Sequence, residues 1–254
     1  MENSSANRWQ RMPQWQRQPL LIIGLTLWSV IALLAAAILD NLLFWALSQL
    51  GALQVFSANT TTVLEGIVLY AIMLGILVGV PWMVLKFKPN RQLLGIDRLL
   101  RWIDIGMALS GLVLYFIVAG IVMWLVSLYI PQVDIAQAQD TGISMPFGFE
   151  RIFVFLLFVV IGPIMEELLF RGYLYGVLRK NGVSFVLTTL VVSILFGAAH
   201  GQWNVGINVA ILSVMMCIGR EVTGSIWPGI LIHMMKNGIA FYVLFVTPLL
   251  PGIQ

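Results

Sequence analysis

Long apolar runs alternate with short polar connections along the whole chain. Several runs reach or exceed the roughly 20 residues that an α-helix needs to cross a bilayer. They predict seven spans, at about 20–50, 63–85, 105–130, 152–177, 184–200, 205–218 and 225–246. The first is long enough to be tilted, or broken near Asp40, and the sixth is the shortest. Ser57 to Thr62 reads as a polar turn. Residues 91–104, RQLLGIDRLLRWID, set Leu and Ile among Arg and Asp at helical spacing. That pattern fits a helix lying in the membrane interface, or a short surface helix linking two spans. The expected fold is an all-α, polytopic transmembrane helix bundle of about seven spans.

Composition agrees with the pattern. The 254 residues are 60% hydrophobic and 10% charged, where a soluble domain carries about 25% charged residues. No soluble fold can hide that much apolar surface, so the membrane is the first partner. The net charge of +3 would suggest nucleic acid in a soluble protein. Here the basic residues sit in short loops and report topology, so no nucleic-acid role is expected. The lone Cys217 lies in an apolar stretch and reads as packing, not as a nucleophile. No cleavable signal peptide is expected. The first 19 residues are polar and carry Arg8, Arg11 and Arg17, and the apolar run after them is too long for a signal core.

Basic residues fall on alternate sides at every predicted crossing. The N-terminal tail has three arginines, and the second loop has Lys86, Lys88, Arg91, Arg98 and Arg101. The fourth has Arg179 and Lys180, and the sixth has Arg220. The first loop has no Lys or Arg, the third has Asp134, Asp140 and Glu150 beside Arg151, and the fifth is uncharged. The positive-inside rule then predicts a cytoplasmic N-terminus and an outside C-terminus.

Ionisable residues inside spans cost roughly 3 kcal/mol each, and here they cluster. Glu166, Glu167 and Arg171 lie in the fourth span, His200 ends the fifth, and His233 and Lys236 lie in the seventh. Both histidines of the chain belong to this set. Glu167 and Arg171 are four apart, share a helix face and can pair. Glu166 lies about 100° round the helix without such a partner, which leaves it available as a general base. Pro163 is expected to kink its helix and free a carbonyl. Phe196 and His200 are four apart, so the ring can pack under the imidazole. His233 and Asn237 share a face, and each can offer a hydrogen bond to one substrate atom. Lys236 is expected on another face. Asn204 and Asn208 share a face and suit interhelical hydrogen bonds. Asp40 and Glu65 receive no role.

One carboxylate, two imidazoles and a carboxamide suffice to hydrolyse an amide. The carboxylate takes a proton from water, one imidazole holds that water, and the remaining donors stabilise the oxyanion. The chain contains no HExxH, no GxSG and no GxGD. Cytoplasmic access is expected, because the basic ends of these helices lie on that side. One tension stands in the sequence. His200 lies about 27 Å from the start of its span and His233 about 15 Å from its own.

The motifs EELLFR at 166–171, FGAAH at 196–200 and HMMKN at 233–237 resemble those of the CAAX-protease and bacteriocin-processing family of intramembrane endopeptidases. The flanks RGYLYGVL and TGSIWPGILIH are similar too. The resemblance covers roughly residues 150–245. It divides the chain into a cytoplasmic tail at 1–19, an N-terminal transmembrane region at 20–150 and a catalytic transmembrane core at 150–246. It implies that Glu166 and His200 activate water, that His233 and Asn237 form the oxyanion hole, and that Glu167 and Arg171 support the site. The implied substrate is a membrane-embedded or lipidated peptide or protein. No cofactor is required, although His200, His233 and a glutamate are a ligand set that zinc accepts. Two other classes stay open: a non-catalytic scaffold or bacteriocin self-immunity protein of the same fold, and a transporter with a Glu/His proton relay.

Overall fold

A computed structural model describes residues 12–137 and 139–247. The described residues form eight helices: α1 (Gln14–Gln49), α2 (Ala58–Leu85), α3 (Arg91–Leu94), α4 (Trp102–Tyr129), α5 (Glu150–Lys180), α6 (Phe185–Ala198), α7 (Trp203–Thr223) and α8 (Trp227–Phe245). Six of them are long and apolar enough to cross a membrane. The exception among the expected spans is the fifth, not the sixth. With 14 residues, α6 rises only about 21 Å, short of the roughly 30 Å hydrocarbon core. The expected sixth span is the 21-residue α7.

Other expectations also shift. Helix α1 starts at Gln14, inside the expected tail, and runs unbroken through Asp40 for 36 residues. Residues 91–104 are not one helix. After the single turn of α3, Gly95 takes a positive φ of 68°. A side chain there would also strike Arg220, whose guanidinium carbon lies 2.6 Å from where a Cβ would sit. The chain re-enters a helix only at Trp102. Asp104 caps that start by accepting from the Arg101 N–H at 2.8 Å, and it holds Arg98 through both carboxylate oxygens.

The two ends of the bundle differ in chemistry. At one end the α3 segment wraps the α7–α8 turn. There Ile226 N–H and the Ser225 hydroxyl both donate to Gly95 O, and Arg220 donates to Leu93 O at 2.9 Å. Gln18 reaches Gly182 O at 2.7 Å, which brings the start of α1 to the α5–α6 turn. Arg17, Lys86, Lys88, Arg91, Arg98, Arg101, Arg179, Lys180 and Arg220 all belong to this end. At the opposite end the α4–α5 connection is tied down by polar side chains. Asn59 bonds Ser144 and Glu150, Asn204 donates to Gln137 O, and Gln202 accepts from Asp140 N–H. Arg151 is the one Lys or Arg that the described helix ends and loops place there.

Two helices loosen into wider turns ahead of a proline. In α2 such turns span Gly75–Gly79, before Pro81. Pro81 has no N–H for the carbonyl of Leu77, four residues back. Trp28 of α1 donates its indole N–H to that carbonyl at 3.1 Å. In α5 the wider turns span Leu156–Ile161 and Leu168–Leu174. Gly162 N–H donates to Leu157 O, five residues back. Pro163 would come next in that series and has no N–H to give, so the carbonyl of Phe158 is left over. The freed carbonyl expected from Pro163 is therefore present, and its partner lies in the site.

Candidate active site

Glu166 stands near the middle of α5 beside a cavity of about 210 Å³. His200, His233, Lys236 and Asn237 line the same cavity. The two histidines thus meet despite their different distances from their helix starts. Helix α6 is short, and α8 begins only six residues before His233.

The carboxylate of Glu166 is not without neighbours. Tyr70, on α2, donates its hydroxyl to Oε1. Oε2 accepts no hydrogen bond and lies 3.7 Å from His233 Nε2. Tyr70 is a functional candidate that the motifs could not supply, since an isolated tyrosine in an apolar span reads as packing. Only the tertiary fold brings α2 against α5.

His200 directs Nδ1 at the carbonyl of Phe196, 2.8 Å away. A carbonyl only accepts, so Nδ1 carries the proton and Nε2 is left as an acceptor. The ring of Phe196 packs edge-on against His200 at 5.0 Å and against His233 at 5.7 Å. Behind it the Arg171 guanidinium sits 4.3 Å over the same ring. This aromatic ring separates the two imidazoles from the buried cation and holds all three in place.

Glu167 and Arg171 form the expected pair at 2.8 Å, with both side chains fully buried. His233 Nδ1 faces Glu167 Oε1 at 3.5 Å, so the imidazole lies between two carboxylates. Helix α8 passes so close that a Cβ on Gly229 would stand 2.3 Å from Glu167 Oε2. Only glycine fits there.

Two expectations change. Lys236 does not turn away from the site but lines the cavity with Glu166. Asn237 is not a free donor pair. One of its amide N–H groups goes to the left-over Phe158 carbonyl at 2.9 Å, and the second remains. Among the described residues, no three His, Cys, Asp or Glu side chains converge as a metal-binding group.

Residues 148–239 match the family model described as type II CAAX prenyl endopeptidase Rce1-like. This segment is similar to the Rce1-like family. The matched residues contain Glu166, Glu167, Arg171, His200, His233, Lys236 and Asn237, whereas Tyr70 lies outside them. Two curated relatives align with part of the chain. The membrane-embedded CAAX protease MroQ of Staphylococcus aureus (strain USA300) is 33% identical over 101 residues, 37% of this chain and 40% of its own. The UPF0177 protein YbdI of Lactococcus lactis subsp. lactis (strain IL1403) is 28% identical over 88 residues, 34% of this chain and 49% of its own. The chain thus spans less than half the length of either relative. No solved structure matches it. The Rce1-like segment supplies most of the residues that line the cavity, and α2, the α4–α5 connection and the last turns of α8 supply the rest.

Proposed function

We propose that this protein is an intramembrane endopeptidase that hydrolyses a peptide bond of a membrane-embedded or lipidated peptide with water activated by Glu166. The single observation that carries the reading is the arrangement around Glu166. One oxygen is fixed by Tyr70, the other accepts no hydrogen bond, and the residue lines one cavity with His200 and His233.

Glu166 Oε2 takes a proton from water as the water oxygen attacks the scissile carbonyl carbon. His200 Nε2, left as an acceptor, holds the other hydrogen of that water. Charge develops on the carbonyl oxygen, which receives the Nε2–H of His233 and the second amide N–H of Asn237. Collapse of the tetrahedral intermediate breaks the C–N bond, and the proton on Glu166 passes to the leaving amine. Glu167 and Arg171 take no part in proton transfer. They position His233 through Glu167 and Phe196 through Arg171. The family-model match of residues 148–239 supports the peptidase class, and so does the similarity to MroQ, named as a CAAX protease.

The test is cleavage of a membrane-peptide library by purified wild type and Glu166→Ala, with and without a chelator. Cleavage by wild type alone, insensitive to chelation, is expected. Equal cleavage by Glu166→Ala overturns the mechanism, and loss on chelation moves His200 and His233 to metal ligation.

A further inference from the structure

The walls of the cavity show where it leads. Beyond the polar cluster it is lined by Phe241, Leu244 and Phe245 from the last turns of α8, and by Gln139 and Thr141 from the α4–α5 connection. Gln139 is exposed and Leu244 is 38% exposed. These five residues all belong to the end of the bundle opposite the basic loops. None of the residues at the basic end lines the cavity. On that side Glu166 is closed off by side chains that are themselves buried, namely Leu169, Phe170, Arg171 and Tyr173 along α5, with Ile226 just before α8 and Ile230 in it.

The short α6 explains the asymmetry. It leaves the basic end and stops after about 21 Å, and the turn at Ala199–Gln202 holds His200 at its recessed tip. Helix α4, packed beside α7 and α8, continues for 28 residues, about 42 Å. The α4–α5 connection borders the resulting recess, held by Asn204 on Gln137 O and by Gln202 on the Asp140 N–H.

We infer that the cavity opens on the face opposite the basic loops. The positive-inside rule places that face outside the cytoplasm, so the site receives a peptide presented from the outer side. This replaces the cytoplasmic access expected from the sequence. That expectation took the helices' basic ends as the ends nearest the site, whereas the cavity follows the other ends. The substrate class narrows accordingly. It is a membrane-anchored peptide whose cleaved stretch has crossed to the outer side, with apolar side chains to meet Phe241, Leu244 and Phe245. The substrate statement rests on the peptidase reading, whereas the direction of opening does not.

The direction is tested by cysteine labelling of the full chain in intact cells with a membrane-impermeant maleimide. Cys217 is fully buried, and the unmodified chain serves as the blank. Gln139→Cys and Leu244→Cys are expected to label in intact cells, and Lys88→Cys only after permeabilisation. Thr141→Cys replaces Gln139→Cys if that variant does not accumulate. Labelling of Leu244→Cys solely from the side that labels Lys88→Cys overturns the inference. So does labelling of Lys88→Cys in intact cells while Gln139→Cys stays silent, or silence of both mouth positions from either side. Labelling needs no catalysis, so an inactive protein with the expected pattern defeats the peptidase reading alone.

Discussion

The hydroxyl of Tyr70 donates to Oε1 of Glu166 from a helix that lies outside the Rce1-like segment. A carboxylate oxygen so held is not free to turn, and its partner oxygen is the one left without a hydrogen bond. Tyr70→Phe removes a hydrogen bond to a charged group, worth about 1.5–3 kcal/mol. The expected outcome is a fall in kcat of about 10- to 100-fold, with the melting temperature in detergent nearly unchanged. A large fall in melting temperature with kcat preserved would make Tyr70 a packing residue.

Arg171→Met leaves the fully buried Glu167 without its guanidinium partner. Breaking a buried pair from one side costs about 3–5 kcal/mol. The variant is expected to lose most of its thermal stability in detergent. Adding Glu167→Gln removes the stranded charge and is expected to restore part of that stability. Thermal unfolding of the single and double variants checks the order.

Gly229→Ala puts a methyl group where Glu167 Oε2 now stands. The carboxylate cannot swing away freely, because Arg171 holds its other oxygen at 2.8 Å. The expected loss of stability is about 1–3 kcal/mol, the usual cost of overpacking. Activity falls with it, because His233 faces the displaced carboxylate. Thermal unfolding and peptide cleavage of the one variant read both effects.

Trp28→Phe is the control. It removes the indole donor from Leu77 O at 3.1 Å, far from the cavity lining. About 1 kcal/mol of stability should go, with cleavage per folded molecule unchanged. A kcat effect as large as that of Tyr70→Phe would mean that α1 and α2 transmit packing changes to the site.

The polar side chains within spans were legible as a cluster because the chain spends so few charges elsewhere in its apolar runs. What they touch was not legible. The expected sixth span, 205–218, leaves out Asn204, Arg220 and Glu221, all of which the helix includes. Each has a partner. Asn204 reaches Gln137 O, Asn208 accepts from Tyr115, Arg220 bonds loop carbonyls, and Glu221 holds Tyr175 and Arg179. The fifth span looked long because Ala199 and His200 continue its apolar run. Gly201, at a φ of 71°, belongs to a turn. Tyr70 carried no local signal at all, since its role depends on the packing of α2 on α5.

The bond from Asn237 to the carbonyl left over beside Pro163 joins the helix bearing His233 to the helix bearing Glu166. A slip of α8 by one residue along α5 would strand an amide and a carbonyl in an apolar interior. The two halves of the chemistry are therefore aligned before any peptide arrives. A missing N–H in one helix serves as the notch in which another helix is seated.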